Sequence, residues 1–200
     1  METGAAAITA YEALNLLREG NARFAAGAME HPRADITRRS ETLAAQHPFA
    51  AVLGCSDSRC PPEIIFDQGI GDLFVVRVAG NVVCPETLAS LEYAVGRRGV
   101  RLIVVLGHAH CGALAAALAA ALAQTASVGA GPSPRPEALD QAVRENIWRA
   151  VAGVLSGSAL IAKRVREVEV EVHAAHYDLA TGVVEWLGRH RDETSLTTPG

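Results

Sequence analysis

An α/β fold, with a central, mostly parallel β-sheet flanked by helices, is what this 200-residue sequence predicts, and three observations lead there. FAAVLGC (49–55), DLFVVRVAG (72–80) and RLIVVLGH (101–108) are near-continuous apolar runs, the pattern of strands buried on both faces. Between them stand PEIIFDQ and PETLASLEYAVGRRG, which read as helices opened by proline. Later, EVEVEVHAAHYDL alternates with period two and ATG leads into VVEWLG, the pattern of an antiparallel hairpin closing the sheet edge.

The remaining elements follow in order. Thr9 with Glu12 three residues on is a capping-box pattern, and Leu14, Leu17 and Phe24 make a loose helical stripe, so residues 9–26 are expected to form an amphipathic helix ending at Gly27. It opens an N-terminal helical arm over 1–48, whose second helix is expected over 37–46, stopped by Pro48. An Ala-rich helix starts at Gly112. The Pro/Gly/Ser-rich stretch SVGAGPSPRP (127–136) reads as a surface excursion, and residues 137–155 are helical again. Val168 stands where a helix-to-strand joint would commonly use glycine. Residues 189–200 are a tail. With half its residues hydrophobic, the chain supports one core and one domain over 1–200.

A net charge of −4, with no separate basic block, argues against nucleic-acid or membrane-surface partners. The N-terminus lacks a leader pattern, and the longest apolar run, GALAAALAAALAQ, is too short to span a bilayer; a cytoplasmic protein is expected. Four cysteines (Cys55, Cys60, Cys84 and Cys111) in such a chain point to metal or catalytic use of some of them rather than to a disulfide framework.

Two stretches carry the chemistry. In VLGCSDSRCPPE, Cys55 ends a predicted strand, with Asp57 and Arg59 at two-residue steps beyond it. In VVLGHAHCGA, His108 and Cys111 occupy an H-x-x-C spacing where a strand hands over to a helix. Strand C-termini of an open α/β sheet meet along one edge, so Cys55, His108 and Cys111 can converge there. Two thiolates and an imidazole suit one Zn²⁺ per chain, with a fourth position open for catalysis or for Asp57. Arg59 can hold Asp57 off the metal bidentately and keep it ionised.

Taken together, GCSDSR, PEIIFDQGIGDLFVVRVAGN, SLEYAV, VVLGHAHCGA and AHYDLATGVVEWLG, preceded by ALNLLREGNARF, resemble the β-class carbonic anhydrases of bacterial type across almost the whole chain. The resemblance implies reversible hydration of CO₂ to bicarbonate and a proton by zinc-bound hydroxide. It assigns zinc to Cys55, His108 and Cys111, and the catalytic carboxylate and arginine to Asp57 and Arg59. It also implies a substrate pocket lined by Gln46, Phe74 and Tyr93, and a homodimer or homotetramer with the site near a subunit interface. The chain departs from the family at Cys60, Cys84 and Val52; where Val52 stands, some members carry a Trp of an inhibitory bicarbonate pocket.

Other readings fit parts of the pattern. A cysteine phosphatase loop needs five residues between Cys and Arg, and Arg59 comes too early after Cys55. The same zinc site could act on CS₂ or COS, or the chain could be a non-catalytic zinc-stabilised assembly protein. His110 reads as an exposed helix-start residue, His173 and His176 as surface or packing residues, and Cys60 and Cys84 as small core hydrophobes.

Overall fold

Residues 8–125 and 135–198 are described by the computed structural model. The first helix, α1 (Ala10–Ala25), is capped as its sequence predicts: the Thr9 hydroxyl accepts the Glu12 N–H, and the Glu12 carboxylate takes the Thr9 N–H at 2.8 Å. The second, α2 (Ile36–Glu41), stops short of the expected 37–46 span. It buries no residue, and a short helix with no apolar face against the core has little to extend it.

The three apolar runs become β1 (Ala50–Cys55), β2 (Leu73–Val78) and β3 (Leu102–His108). With β4 (Glu171–Tyr177) and β5 (Val184–Gly188) they form one sheet in the order β2-β1-β3-β4-β5. The pairs β1–β2, β1–β3 and β3–β4 are parallel, and the edge pair β4–β5 is antiparallel, as the hairpin pattern predicts. Every residue of β1 and β3 is buried, which is why both read as continuous apolar runs instead of alternating ones.

Helices cover both faces. On one lie α4 (Pro85–Arg98), α6 (Pro136–Gly157) and α7 (Ala159–Arg166), with Leu91, Ile147, Leu155 and Ile161 packed among Leu53, Ile103 and Val105. On the other, α1 and α3 (Pro62–Ile65) bring Leu14, Leu17 and Ile65 into a core with Val52 and Val104. Gly107 lets α6 lie close to β3, since a Cβ there would meet Ile147 Cγ1 at 2.5 Å. Between β3 and α6 runs the Ala-rich α5 (Gly112–Thr125). Of the expected 127–136 loop, residues 127–134 lie outside the described residues, and Pro136 already opens α6.

Two helices were not foreseen. Ser158 ends α6 and starts α7, its hydroxyl accepting the Ile161 N–H at 3.1 Å. The period-two reading of EVEVEV masked this, because residues 167–170 form a turn and the strand begins only at Glu171. Inside the expected tail, α8 (Glu193–Thr197) buries Thr197, whose carbonyl accepts from the Arg166 guanidinium. No helix of the described residues is long and apolar enough to cross a membrane.

The joint after α7 is a Schellman motif: the Glu169 N–H bonds to the Arg164 carbonyl at 2.9 Å and the Val168 N–H to the Val165 carbonyl at 3.0 Å. Val168 therefore takes a left-handed φ of 59°, a region that β-branched residues resist, and at 77% exposed it gains no packing in return. Val168→Gly is expected to stabilise the fold by about 1 kcal/mol, raising Tm by about 2–4 °C for a chain of this size. A lower Tm would mean that glycine's extra freedom in the unfolded chain outweighs the strain it relieves.

Candidate metal centre

The chain passes from β1 to β2 on one side and then back past β1 to β3, so the strand order reverses between β1 and β3. At such a switch point a crevice opens beyond the C-terminal strand ends. Gly54 pairs with Leu106, so Cys55 and His108 end their strands within about one residue of the same level. Cys111 follows across the turn at Ala109 and His110, directly before α5. His110 allows that tight turn by adopting φ 53°, and its side chain is exposed, as expected.

These elements bring the three sequence-predicted donors together. The Cys55 and Cys111 sulfurs stand 4.0 Å apart, and with a His108 ring nitrogen all donor atoms lie within 4.8 Å of one another. All four cysteines of the chain are free. Two thiolates on a tetrahedral ion at zinc–sulfur bond lengths would be about 3.8 Å apart, close to the separation here. The His108 Nδ1 lies 2.8 Å from the Ala109 carbonyl, so Nδ1–H donates there and Nε2 keeps its lone pair. That Nε2 is buried without a hydrogen-bond partner, the state of a ligand atom that a metal ion would satisfy.

Local electrostatics favour the ligating forms unevenly. Burial lowers the His108 pKa, which keeps the ring neutral. Burial pushes the Cys111 thiol up, while the Leu114 and Ala113 N–H groups at the start of α5 pull it back toward thiolate. A positive ion between the sulfurs would complete that shift.

Asp57 sits at the rim of this cluster, its Oδ2 3.9 Å from His108 Nε2. Arg59 grips it three times: backbone N–H and Nε donate to Oδ1 at 3.0 and 2.9 Å, and Nη2 donates to Oδ2 at 2.7 Å. Chiefly through these side-chain bonds, the Asp57 carboxyl is held well below the usual carboxylate range despite its partial burial. Arg59 Nη2 also reaches the His110 carbonyl at 3.3 Å, tying the loop after β1 to the turn after β3.

Two supporting groups escaped the sequence reading. Arg77 donates from Nε to the Cys55 carbonyl at 2.8 Å and from Nη2 to the Asp57 carbonyl at 2.5 Å, bracing the loop from β2. The signal for it was a lone charge inside the apolar run LFVVRV. The Gly80 N–H donates to Cys55 Sγ at 3.2 Å, from the turn Ala79–Asn81 that follows β2.

The residues expected to line a pocket do not gather around this cluster within one chain. Phe74 pairs with Ala51, four residues before Cys55 (55 − 51), hence about 13 Å away along the strand. It packs on Tyr93 of α4 with ring centroids 5.9 Å apart, and the Arg98 guanidinium lies 5.0 Å from the Tyr93 ring. Gln46 is exposed in the segment before β1. His173 and His176 are both buried packing residues on β4, within 2.7 Å of a Glu171 oxygen and 3.6 Å of an Asp140 oxygen respectively. Cys60 is a core thiol whose pKa burial and the Asp57 charge push up to about 12, whereas half-buried Cys84 stands at the N-terminus of α4.

Comparison with known proteins places this arrangement. A family model described as carbonic anhydrase matches residues 50–133. Carbonic anhydrase 2 of Mycobacterium tuberculosis is 39% identical over 180 residues, covering 83% of this chain and 87% of that protein. Among solved structures, the β-carbonic anhydrase CafA of Aspergillus fumigatus aligns with a TM-score of 0.68 at 28% identity, covering 92% of this chain and 93% of that one. A tetrameric β-carbonic anhydrase of Sordaria macrospora aligns with a TM-score of 0.64 at 28% identity, over 75% and 85% of the two chains. With the parallel sheet and the Cys/His/Cys cluster at its switch point, these likenesses show that the chain belongs to the β-carbonic anhydrase family.

Proposed function

We propose that this protein is a zinc-dependent enzyme that interconverts CO₂ with bicarbonate and a proton. The observation that carries the reading is the convergence of Cys55, His108 and Cys111, buried together with an orphaned imidazole nitrogen, in a chain of this family. These three residues would hold one zinc ion per chain, whose Lewis acidity makes water a nucleophile near neutral pH.

Around that ion the chain's own groups have distinct tasks. Asp57, ionised throughout the physiological range, accepts a hydrogen bond from the reacting water and so aims its oxygen at CO₂. Arg59 keeps the carboxylate charged and oriented; its hold on both oxygens favours Asp57 as acceptor over Asp57 as fourth metal ligand. The proton leaves to solvent or buffer. Gln46, Phe74 and Tyr93 line the substrate pocket, Gln46 donating to a CO₂ or bicarbonate oxygen and Phe74 excluding water. Phe74 stands far along the strand from its own Cys55, so in this reading a second copy would carry the group to the cluster and the active form would be a homodimer or homotetramer. Likeness to a tetrameric relative supports that assembly. The free thiols fit a reducing, cytoplasmic setting.

Stopped-flow CO₂ hydration by zinc-quantified protein, from mildly acidic to alkaline pH, tests the reading. Activity should rise with pH and vanish on chelation. Zinc-loaded protein without hydration at any pH would overturn it, leaving CS₂ or COS as substrate or a non-catalytic assembly role.

A further inference from the structure

We propose that Asn146 is a positioning residue for the metal centre, anchoring through Gly80 the backbone N–H that bonds to the Cys55 sulfur; this rests on the zinc reading above. Asn146 lies on α6, next to the Ile147 that packs against Gly107 of β3. Its Nδ2 donates to the Gly80 carbonyl at 2.8 Å, and the Gly80 N–H in turn donates to Cys55 Sγ at 3.2 Å.

The geometry makes an external anchor necessary. Gly80 has a left-handed backbone (φ 72°, ψ 19°), followed by Asn81, also at positive φ (42°). A glycine at the exit of a strand has the widest choice of torsions, so its N–H holds one direction only if its surroundings impose it. On one side stands α5, with Ala113 and Leu114 lying 3.7 and 3.9 Å from where a Cβ would be. On the other, Asn146 clamps the carbonyl.

An N–H donated to a thiolate stabilises its negative charge, so the sulfur is more readily in its ligating form, and it fixes the direction in which the sulfur faces the ion. Asn146 thereby couples the packing of α6 on the sheet to the strength of the metal site, although 66 residues separate it from Gly80.

The test measures zinc affinity by chelator competition, together with the thiolate-to-metal charge-transfer band of the Co²⁺-substituted protein. It compares wild type, Asn146→Ala and Asn146→Asp, the last keeping the side chain's shape while replacing the donor. Ala142→Gly, one turn earlier on α6, loosens the helix without touching Gly80 and serves as control. Both Asn146 variants should bind zinc about 10–100-fold more weakly and shift the band, while Ala142→Gly matches wild type in both. Variants within twofold of wild type and with an unshifted band would overturn the assignment, as would an equal loss in Ala142→Gly. Wild-type protein that holds no zinc would overturn the metal reading itself, an outcome distinct from unaltered binding in the variants.

Discussion

Cys111→Ser should fold, lose its zinc and hydrate CO₂ at least about a thousandfold more slowly. Sulfur is the ligand atom this position supplies, and a serine hydroxyl, close in size, stays protonated near neutral pH and is a poor metal donor. No disulfide is broken, because Cys111 is free, and the near-isosteric change leaves no large cavity at a residue only 1% exposed. Metal analysis should find well below one zinc per chain, and the Tm should match that of chelator-treated wild type, since both lack the stabilisation that metal binding adds. One zinc per chain with undiminished turnover would remove Cys111 from the ligand set.

Asp57→Asn separates metal binding from catalysis. Its zinc content should stay near one per chain, because the three donors are untouched, while turnover drops by about a hundredfold or more, the range for a lost acid–base or orienting group. Asparagine retains the shape but loses the charge that Arg59 grips, and it presents an NH₂ to a guanidinium that is itself only a donor. A pH signature accompanies this. The folded Asp57 carboxyl titrates below its unfolded value, so the pair's modest stabilisation is present above about pH 4 and is lost as pH falls toward the folded pKa. Much of that contribution is screened, as the Arg59 side chain is 53% exposed. Between pH 6 and 9 Asp57 does not titrate, so any rise in activity there belongs to another group. Wild-type turnover in Asp57→Asn would cancel the carboxylate's role.

Several features were legible because their signals are local. The Thr9/Glu12 cap, the proline-opened α4 and the doubly buried strands each follow from neighbours a few residues apart. Val168 was visible as a misfit at a helix end, and its left-handed backbone is the strain that the misfit implied. Where a signal was short or ambiguous the reading failed. The eight residues of α7 are too few for periodicity to stand out, and alternating Glu and Val in 167–172 imitate a strand over what is mostly a turn.

At the candidate metal centre, local spacing marked the potential donors, the Asp57–Arg59 pairing two residues apart and the turn from His108 to Cys111. What meets across the fold was decided by strand order and register, which depend on contacts between distant segments. Reversal of order at β1 and β3 brings Cys55 to His108; Arg77, Gly80 and Asn146 reach the site from β2, its following turn and α6, with no motif to announce them. The same register sets Phe74 four residues back from Cys55, apart from the cluster that the family resemblance assigns it to. Sequence alone thus determined which residues are candidates for the chemistry, because donor type and short spacing are properties of the chain. Only the tertiary structure decided which of them share a site, because that depends on how the sheet aligns strands far apart in sequence.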